Sequence, residues 1–313
     1  MPKRNAQNQF PLNKSNLENF LKPYNIKDFS YSLLEEGIEN TSIKVYFNEE
    51  ACVLRIWPKN KKDDEAILLE LKFIEELLKF DKSIPIPKIF LNFEKEKLTK
   101  VKIDDYCWQA ILMDFVDGAH PIDFSDDTIK ELAEIQAKMH LFGARFANQN
   151  SFKNVEYQQV RMKSTFFDPA FNIENIQDET LKTFIYRAES YILKFNSKLP
   201  SAFVHGDIKA NNLIVQNNKI KAILDFDGAS YSYIVMCFSA TMLTLNNIEK
   251  MHTYLSSYKQ YRSLTSKELE ILPKVILFHY YCKIGMAIVF NTMSEEILAK
   301  ELDLEAKLIS LKF

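Results

Sequence analysis

The chain has 313 residues, 47% of them hydrophobic and 26% charged, with a formal net charge of −2. That length suffices for one large domain or two lobes around a sizeable core, and the near-neutral balance carries no electrostatic footprint for nucleic acid or an acidic membrane surface. Cys52, Cys107, Cys237 and Cys282 are far apart, with no CxxC and no Cys/His cluster, which argues against a zinc site and for free buried thiols in a reducing compartment.

In chain order, residues 1–12 are polar and show no apolar segment of the signal-peptide kind. Residues 15–24 read as an amphipathic helix capped by Ser15, with Glu18 as its capping-box partner. The runs Ile43–Phe47 and Cys52–Trp57, separated by Asn48-Glu49-Glu50, predict a β-hairpin that Pro58 ends. A polar loop leads into a helix over 65–80, with Leu69, Phe73, Ile74 and Leu77 on one face, stopped by Pro85 and Pro87. Strands are expected at 89–93 and 110–115. Beyond Gly118 the texture turns helical, with helices over 129–142 and 181–195. Short strands at 213–215 and 220–224 flank Asn217-Asn218, and everything from Ile234 onward reads as aromatic-rich helix. The apolar runs Tyr233–Leu245 and Val275–Phe290 are too short, or too interrupted by His279 and Lys283, to span a bilayer. A β-rich first third followed by helices predicts a bilobal α+β chain, divided as 1–114 and 115–313, with a cytoplasmic location.

The chemistry concentrates in Phe203-Val-His-Gly-Asp-Ile-Lys-Ala-Asn-Asn-Leu-Ile-Val215 and Ala222-Ile-Leu-Asp-Phe-Asp-Gly-Ala229. Phosphoryl transfer needs positive charge on the phosphates and a carboxylate to orient and deprotonate the attacking hydroxyl, with little covalent help. Asp207, in a loop after an apolar strand, suits the carboxylate role. Asn212 and Asp225 offer hard oxygens of the kind Mg²⁺ prefers, and Lys209 offers a point charge for the terminal phosphate. Singly, His205 reads as a core histidine, and Asp207 and Asn212 as turn residues.

The pattern H-G-D-x-x-x-x-N followed by apolar-Asp-Phe resembles the catalytic and metal-binding loops of protein kinase-like small-molecule kinases. His-Gly-Asp marks the aminoglycoside-phosphotransferase branch. The resemblance implies a bilobal protein kinase-like fold, with a small antiparallel-sheet N-lobe holding nucleotide and a helical C-lobe holding the acceptor. It implies Asp207 as catalytic base, Asn212 and Asp225 as magnesium ligands, and His205 as the residue that holds the loop. Arg55 on Val53-Leu-Arg-Ile56 and Glu70 on the next helix stand where the branch keeps its phosphate-reaching cation and partner; the plainer reading is an ion pair worth little. Asn40, Thr41 and Ser42, after the single Gly37, stand at the phosphate loop, although an ordinary turn explains them as well. Asp114 and Val116 stand at the strand whose backbone would meet the adenine. Leu132–His140 resembles the branch's Leu-His helix, with His140 structural.

Leu17–Tyr24, Glu36–Asn40 and Tyr261–Pro273 give the chain a texture similar to type II homoserine kinase. The cosubstrates expected are ATP and Mg²⁺ and a small-molecule alcohol, with a homoserine-like amino alcohol favoured over aminoglycoside, choline or ethanolamine. Lys283 or Arg161 would meet a carboxylate, and Tyr280, Tyr281 and Phe290 would line the pocket or simply pack the core. Asp126, Asp127, Asp168, Asp178 and Glu179 are too scattered to favour an aminoglycoside. Neither nucleic acid nor membrane is an expected partner, and the chain is expected to be a monomer or homodimer. One departure stands out. Relatives carry an Asp about a dozen residues after the Asp225 position that braces the catalytic loop, whereas no acidic residue occurs from Gly228 to Asn247. The brace is expected to be missing or replaced by Ser239 or a backbone group, which also keeps open a nucleotide-binding regulator without transferase activity. Asp227 is an extra acid, available to a metal or a substrate amine.

Overall fold

In a computed structural model, the structure describes residues 10–36, 40–58, 62, 64–150 and 199–289, together with 179, 182–183, 186, 304–305 and 307–309. The chain divides into two compact units, Pro2–Gly118 and Ala119–Phe313.

The first unit is built on a five-stranded antiparallel sheet in the order β1-β2-β3-β5-β4. Its strands are β1 (Ser30–Glu36), β2 (Thr41–Phe47), β3 (Glu50–Pro58), β4 (Thr99–Ile103) and β5 (Tyr106–Asp114). The β2–β3 connection is a two-residue turn in which Asn48 and Glu49 both take positive φ, 48° and 64°, the twist that suits a tight hairpin. Along β2, buried Thr41, Ile43 and Val45 alternate with half-buried Ser42 and Lys44, so the sheet has two distinct faces.

One face, with Ile43, Val45, Leu54, Ile56, Trp108 and Leu112, packs against Phe10 and helix α1 (Lys14–Leu21) through Leu17, Phe20 and Leu21. The other carries Trp57 and Ile111 against Ile67 and Leu71 of helix α2 (Asp64–Phe80). Each fully buried leucine or isoleucine here contributes about 1.5–3 kcal/mol by leaving water.

Three expectations are corrected. The cap of α1 is Asn13, whose side chain accepts the Asn16 amide at 2.9 Å, not Ser15. The helix gives way to a 3₁₀ turn at Lys22–Tyr24, where Pro23 brings no N–H. Residues 89–93 do not form a strand. Phe90 and Lys88 bond once each to the β5 backbone, and Asn92 then closes a turn onto Glu96 through both its backbone amide and its side chain.

The second unit opens with α3 (Asp126–Gln149), capped by Ser125. Gly143 of α3 lets strand β6 (Ser201–Val204) approach closely, since a Cβ there would lie 2.0 Å from the Phe203 carbonyl oxygen. Strand β6 pairs with β9 (Ser230–Tyr233), and β7 (Leu213–Gln216) pairs with β8 (Lys219–Ile223). The β7–β8 turn is Asn217-Asn218, both at positive φ (53° and 59°). Helices α4 (Ile234–Thr244), α5 (Ile248–Tyr261) and α6 (Ser266–Val289) follow.

The start of α6 is a reciprocal cap: Thr265 Oγ1 accepts the Glu268 amide, and Glu268 Oε2 accepts the Thr265 amide. Glu268 also holds buried Arg262 at 2.8 Å. Of the expected helix over 181–195, only Lys182, Thr183 and Tyr186 are among the described residues, and these are helical. No helix among the described residues is long and apolar enough to cross a membrane.

Candidate active site

Strand β6 delivers His205, Gly206 and Asp207 into a loop, and Gly206 supplies the positive φ (84°) that turns it. His205 is buried and bridges two segments. Its Nε2 lies 2.9 Å from the Leu224 carbonyl, and its Nδ1 accepts the Asp207 amide at 3.3 Å. These contacts fit one neutral tautomer, with the proton on Nε2. Burial lowers its pKa, while the charges of Asp207 and Asp225 act in the opposite direction. The His205 ring also packs on Phe226, with centroids 4.3 Å apart. So placed, His205 locks the Asp207 loop to the Leu224-Asp225 segment.

Asp207 is the hub. Its Oδ2 receives Lys209 Nζ at 2.8 Å and Asn212 Nδ2 at 3.1 Å, and its carbonyl receives the same Asn212 nitrogen at 2.7 Å. With Nδ2 committed to Asp207, Asn212 has Oδ1 as the atom suited to ligation. The Leu224 amide donates to the Asn212 carbonyl at 2.8 Å, tying β8 to the same loop. Asp225 follows at φ 64°, ψ 67°, a left-handed conformation that costs a residue with a side chain about 1–2 kcal/mol. Asn212 is tied to Asp207 through its side-chain nitrogen, and Asp225 follows Leu224, whose amide bonds the Asn212 carbonyl and whose own carbonyl meets His205. Among the described residues no three His, Cys, Asp or Glu side chains converge in a ready metal cage. The donor set is instead one amide oxygen and one carboxylate, a hard-oxygen pair compatible with a magnesium ion that takes its other ligands from phosphates and water.

In the first unit, Arg55 and Glu70 are both buried, 7% and 4% exposed, so neither is a surface charge. Arg55 lies on β3, its guanidinium 5.1 Å from the Trp57 ring centroid. Glu70 forms an ion pair with Lys62, a residue that sequence reasoning passed over in the polar loop before α2. Lys62 also lies 5.8 Å from the Trp57 ring.

Thr41 and Ser42 begin β2, where they pair with Ile56 and Arg55. Asn40 is half-buried just before them, and Gly37 lies outside the described residues. The Asp114 amide is spent on the Lys88 carbonyl at 2.9 Å, whereas Val116 is half-buried after the end of β5. Nearby, a cavity of about 590 Å³ is lined by Ser30, Lys44, Tyr46, Phe115 and Asp117, among others, with Lys44 Nζ 3.3 Å from the Phe115 ring centroid.

Of the candidate acceptor-site residues, Tyr280 and Tyr281 are core residues, and the Tyr281 hydroxyl donates to Glu305 at 2.7 Å. Lys283 is exposed. Arg161, Asp168, Asp178 and Phe290 lie outside the described residues. His140 is buried, with Nδ1 2.6 Å from the Tyr258 hydroxyl. Ser239 donates to the Met236 carbonyl of its own helix at 3.1 Å, which spends its only proton away from the catalytic loop.

The sequence profile of the phosphotransferase enzyme family (APH) matches residues 30–238, and the chain belongs to that family. It is an enzyme of the small-molecule kinase class. Curated relatives include the homoserine kinase of Bradyrhizobium diazoefficiens, 23% identical over 269 residues, which cover 82% of this chain and 78% of the relative. The homoserine kinase of Rhodopseudomonas palustris is 26% identical over the same shares. Among solved structures, the amicoumacin kinase bound to AMP-PNP and Ca²⁺ superposes with a TM-score of 0.73 at 14% identity, covering 95% of this chain and 94% of that one. The microcompartment-associated aminopropanol kinase gives 0.71 at 18%, covering 95% of both. These likenesses establish the protein kinase-like phosphotransferase fold.

Proposed function

We propose that the protein transfers the γ-phosphate of Mg-ATP to the hydroxyl of a small amino alcohol of the homoserine type. The observation that carries the reading is the Asp207 carboxylate, which Lys209 and Asn212 both hold at Oδ2 within a loop fixed by buried His205. A carboxylate so fixed is oriented to accept the proton of an incoming hydroxyl. The hydroxyl oxygen bonds to the terminal phosphorus, the bond to the bridging oxygen breaks, ADP leaves, and the proton ends on Asp207. Asn212 and Asp225 would hold Mg²⁺, which neutralises phosphate charge when bound. Lys209 is long enough to exchange Asp207 for a phosphate oxygen. Arg55 and the start of β2 (Asn40, Thr41, Ser42) are assigned to the nucleotide phosphates, and the backbone at Val116 to the base.

An amino alcohol is favoured over other acceptors because relatives named homoserine kinase, and a structural neighbour named aminopropanol kinase, share that chemistry. The test is ADP release with Mg-ATP across homoserine, aminopropanol, choline, ethanolamine and aminoglycosides, with Asp207→Asn as the blank. One acceptor that stimulates wild type alone supports the proposal. Stabilisation by Mg-ATP with no stimulation by any acceptor would favour a nucleotide-binding regulator instead.

A further inference from the structure

Two cations meet one aromatic ring in the first unit, and the functional reading draws on only one of them. Trp57 is 1% exposed. The Arg55 guanidinium lies 5.1 Å from its ring centroid and the Lys62 ammonium 5.8 Å from it. Arg55 and Trp57 stand two residues apart on β3 and so share a face of the sheet, the face on which Ser42 pairs with Arg55.

Lys62 is held there at both ends. Its backbone carbonyl accepts the side-chain N–H of Gln109 at 3.1 Å, and Gln109 is fully buried and pairs with Trp57 between β5 and β3. Its ammonium pairs with Glu70 of α2. The plain account is a clamp that fastens the start of α2 to the sheet. The exposure of the pair argues for more. The Lys62 side chain is 15% exposed and the Glu70 side chain 5%, so an incoming anion meets the ammonium end. An ammonium has three donors and can serve a carboxylate and a phosphate oxygen together.

The register gives the part of the nucleotide concerned. Val116, assigned to the base, follows the end of β5. Counted back from Asp114, Ile111 faces Arg55 about 10 Å along the sheet, and Gln109 faces Trp57 about 17 Å along it. Lys62, above the Trp57–Gln109 row, therefore lies beyond Arg55 on the way from the base to the terminal phosphate.

We propose that Lys62 is a further nucleotide-binding residue, which keeps Glu70 as its partner and donates to the outer phosphates beside Arg55. This inference rests on the nucleotide-binding part of the functional reading, and the test tells the two failures apart. Mg-ATP, Mg-ADP and AMP are titrated calorimetrically into wild type, Lys62→Met, Lys62→Arg, Glu70→Gln and the double variant Lys62→Met/Glu70→Gln, with a thermal melt of each.

Lys62→Met should weaken Mg-ATP and Mg-ADP by about tenfold, the size of one hydrogen bond to a charged group. AMP, which lacks the outer phosphates, should stay within about twofold. Lys62→Arg keeps the cation and should recover most of the affinity. Added to Glu70→Gln, Lys62→Met should again cost about tenfold, because the phosphate contact is still there to lose. A clamp gives the opposite result: once Glu70 is neutral the pair is already broken, and removing the ammonium costs nothing further. The double variant also avoids leaving a buried carboxylate without this lysine, so the comparison survives if Lys62→Met alone fails to fold.

Unchanged Mg-ATP affinity in Lys62→Met overturns the proposal and leaves the functional reading standing. So does a double variant that binds as Glu70→Gln does, or a loss as large for AMP as for Mg-ATP. If wild type binds none of the three nucleotides, the functional reading fails and the proposal falls with it.

Discussion

At the scale of single residues, Asp225 separates two contributions that usually overlap. Its carboxylate is assigned to the metal, and its backbone is held left-handed at φ 64°. Asn tolerates that conformation better than Ala. Both Asp225→Asn and Asp225→Ala should therefore weaken Mg-nucleotide binding by at least about tenfold, as read by calorimetric titration. Only the alanine variant should also lose about 1 kcal/mol of folding stability in a denaturant melt. Asp207→Asn should instead keep nucleotide affinity within about threefold while lowering kcat by about 10²–10⁴ in a coupled ADP assay, because it removes a proton acceptor and leaves the metal ligands in place. The His-Gly-Asp-x-x-x-x-Asn pattern was legible because its chemistry is local: Lys209 and Asn212, both within five positions of Asp207, meet at its carboxylate. The surroundings of Ser239 were not, since nothing in an apolar helix announces where its few hydroxyls turn. The sequence directed attention to Ser239, whose hydroxyl bonds within its own helix turn.

At the scale of elements, the close approach of α3 and β6 makes Gly143 a sensitive point. A methyl group there would meet the Phe203 carbonyl at 2.0 Å, so the helix must move or the strand must shift. Gly143→Ala should cost about 1–3 kcal/mol despite its higher helix propensity, visible as a lower melting temperature. Because Phe203 precedes His205 by two residues, the same variant should also lower kcat. Hairpins were the most legible elements: Asn48-Glu49 and Asn217-Asn218 sit between β-forming runs and adopt the positive φ such turns need. Strand β4 alternates Thr-Lys-Val-Lys-Ile with a period of two yet has few apolar residues to mark it, whereas the apolar run at 89–93 predicts a strand that does not form. Hydrophobicity alone misled there, because Asn92 diverts the chain into a turn that no periodicity reveals.

At the scale of the whole molecule, two buried histidines set the acid limit. Burial lowers His279 to about 4, partly opposed by its contact with the Met236 carbonyl. It lowers His140 to about 3, with Arg262 adding to the effect. Both folded-state values lie below the ordinary 6.5, so the unfolded chain binds the proton first. Their contribution is complete above about pH 6.5 and is lost as pH falls through about 4 and about 3. In that window each histidine removes about 1.4 kcal/mol per pH unit. Melting temperature should therefore drop steadily from pH 6.5 to 4.5, and His279→Gln should flatten the slope. Fold class was legible from the order of textures, β-rich and then helical. The two-unit division at Gly118/Ala119 lies four residues past the end of β5, where the chain has left the sheet and not yet begun α3.

The Trp57 ring, flanked by Arg55 and Lys62, has a spectroscopic consequence. The chain has two tryptophans, Trp57 and Trp108, and both lie in the Pro2–Gly118 unit. Intrinsic emission excited at the red edge of the ultraviolet band is thus a reporter for one unit, with the other dark. Nearby cations shift indole emission, so anion binding at Arg55 would register as a change in colour as well as intensity. An unfolding curve followed by this light, laid over one followed by far-ultraviolet dichroism, becomes a direct readout of whether the two units melt together.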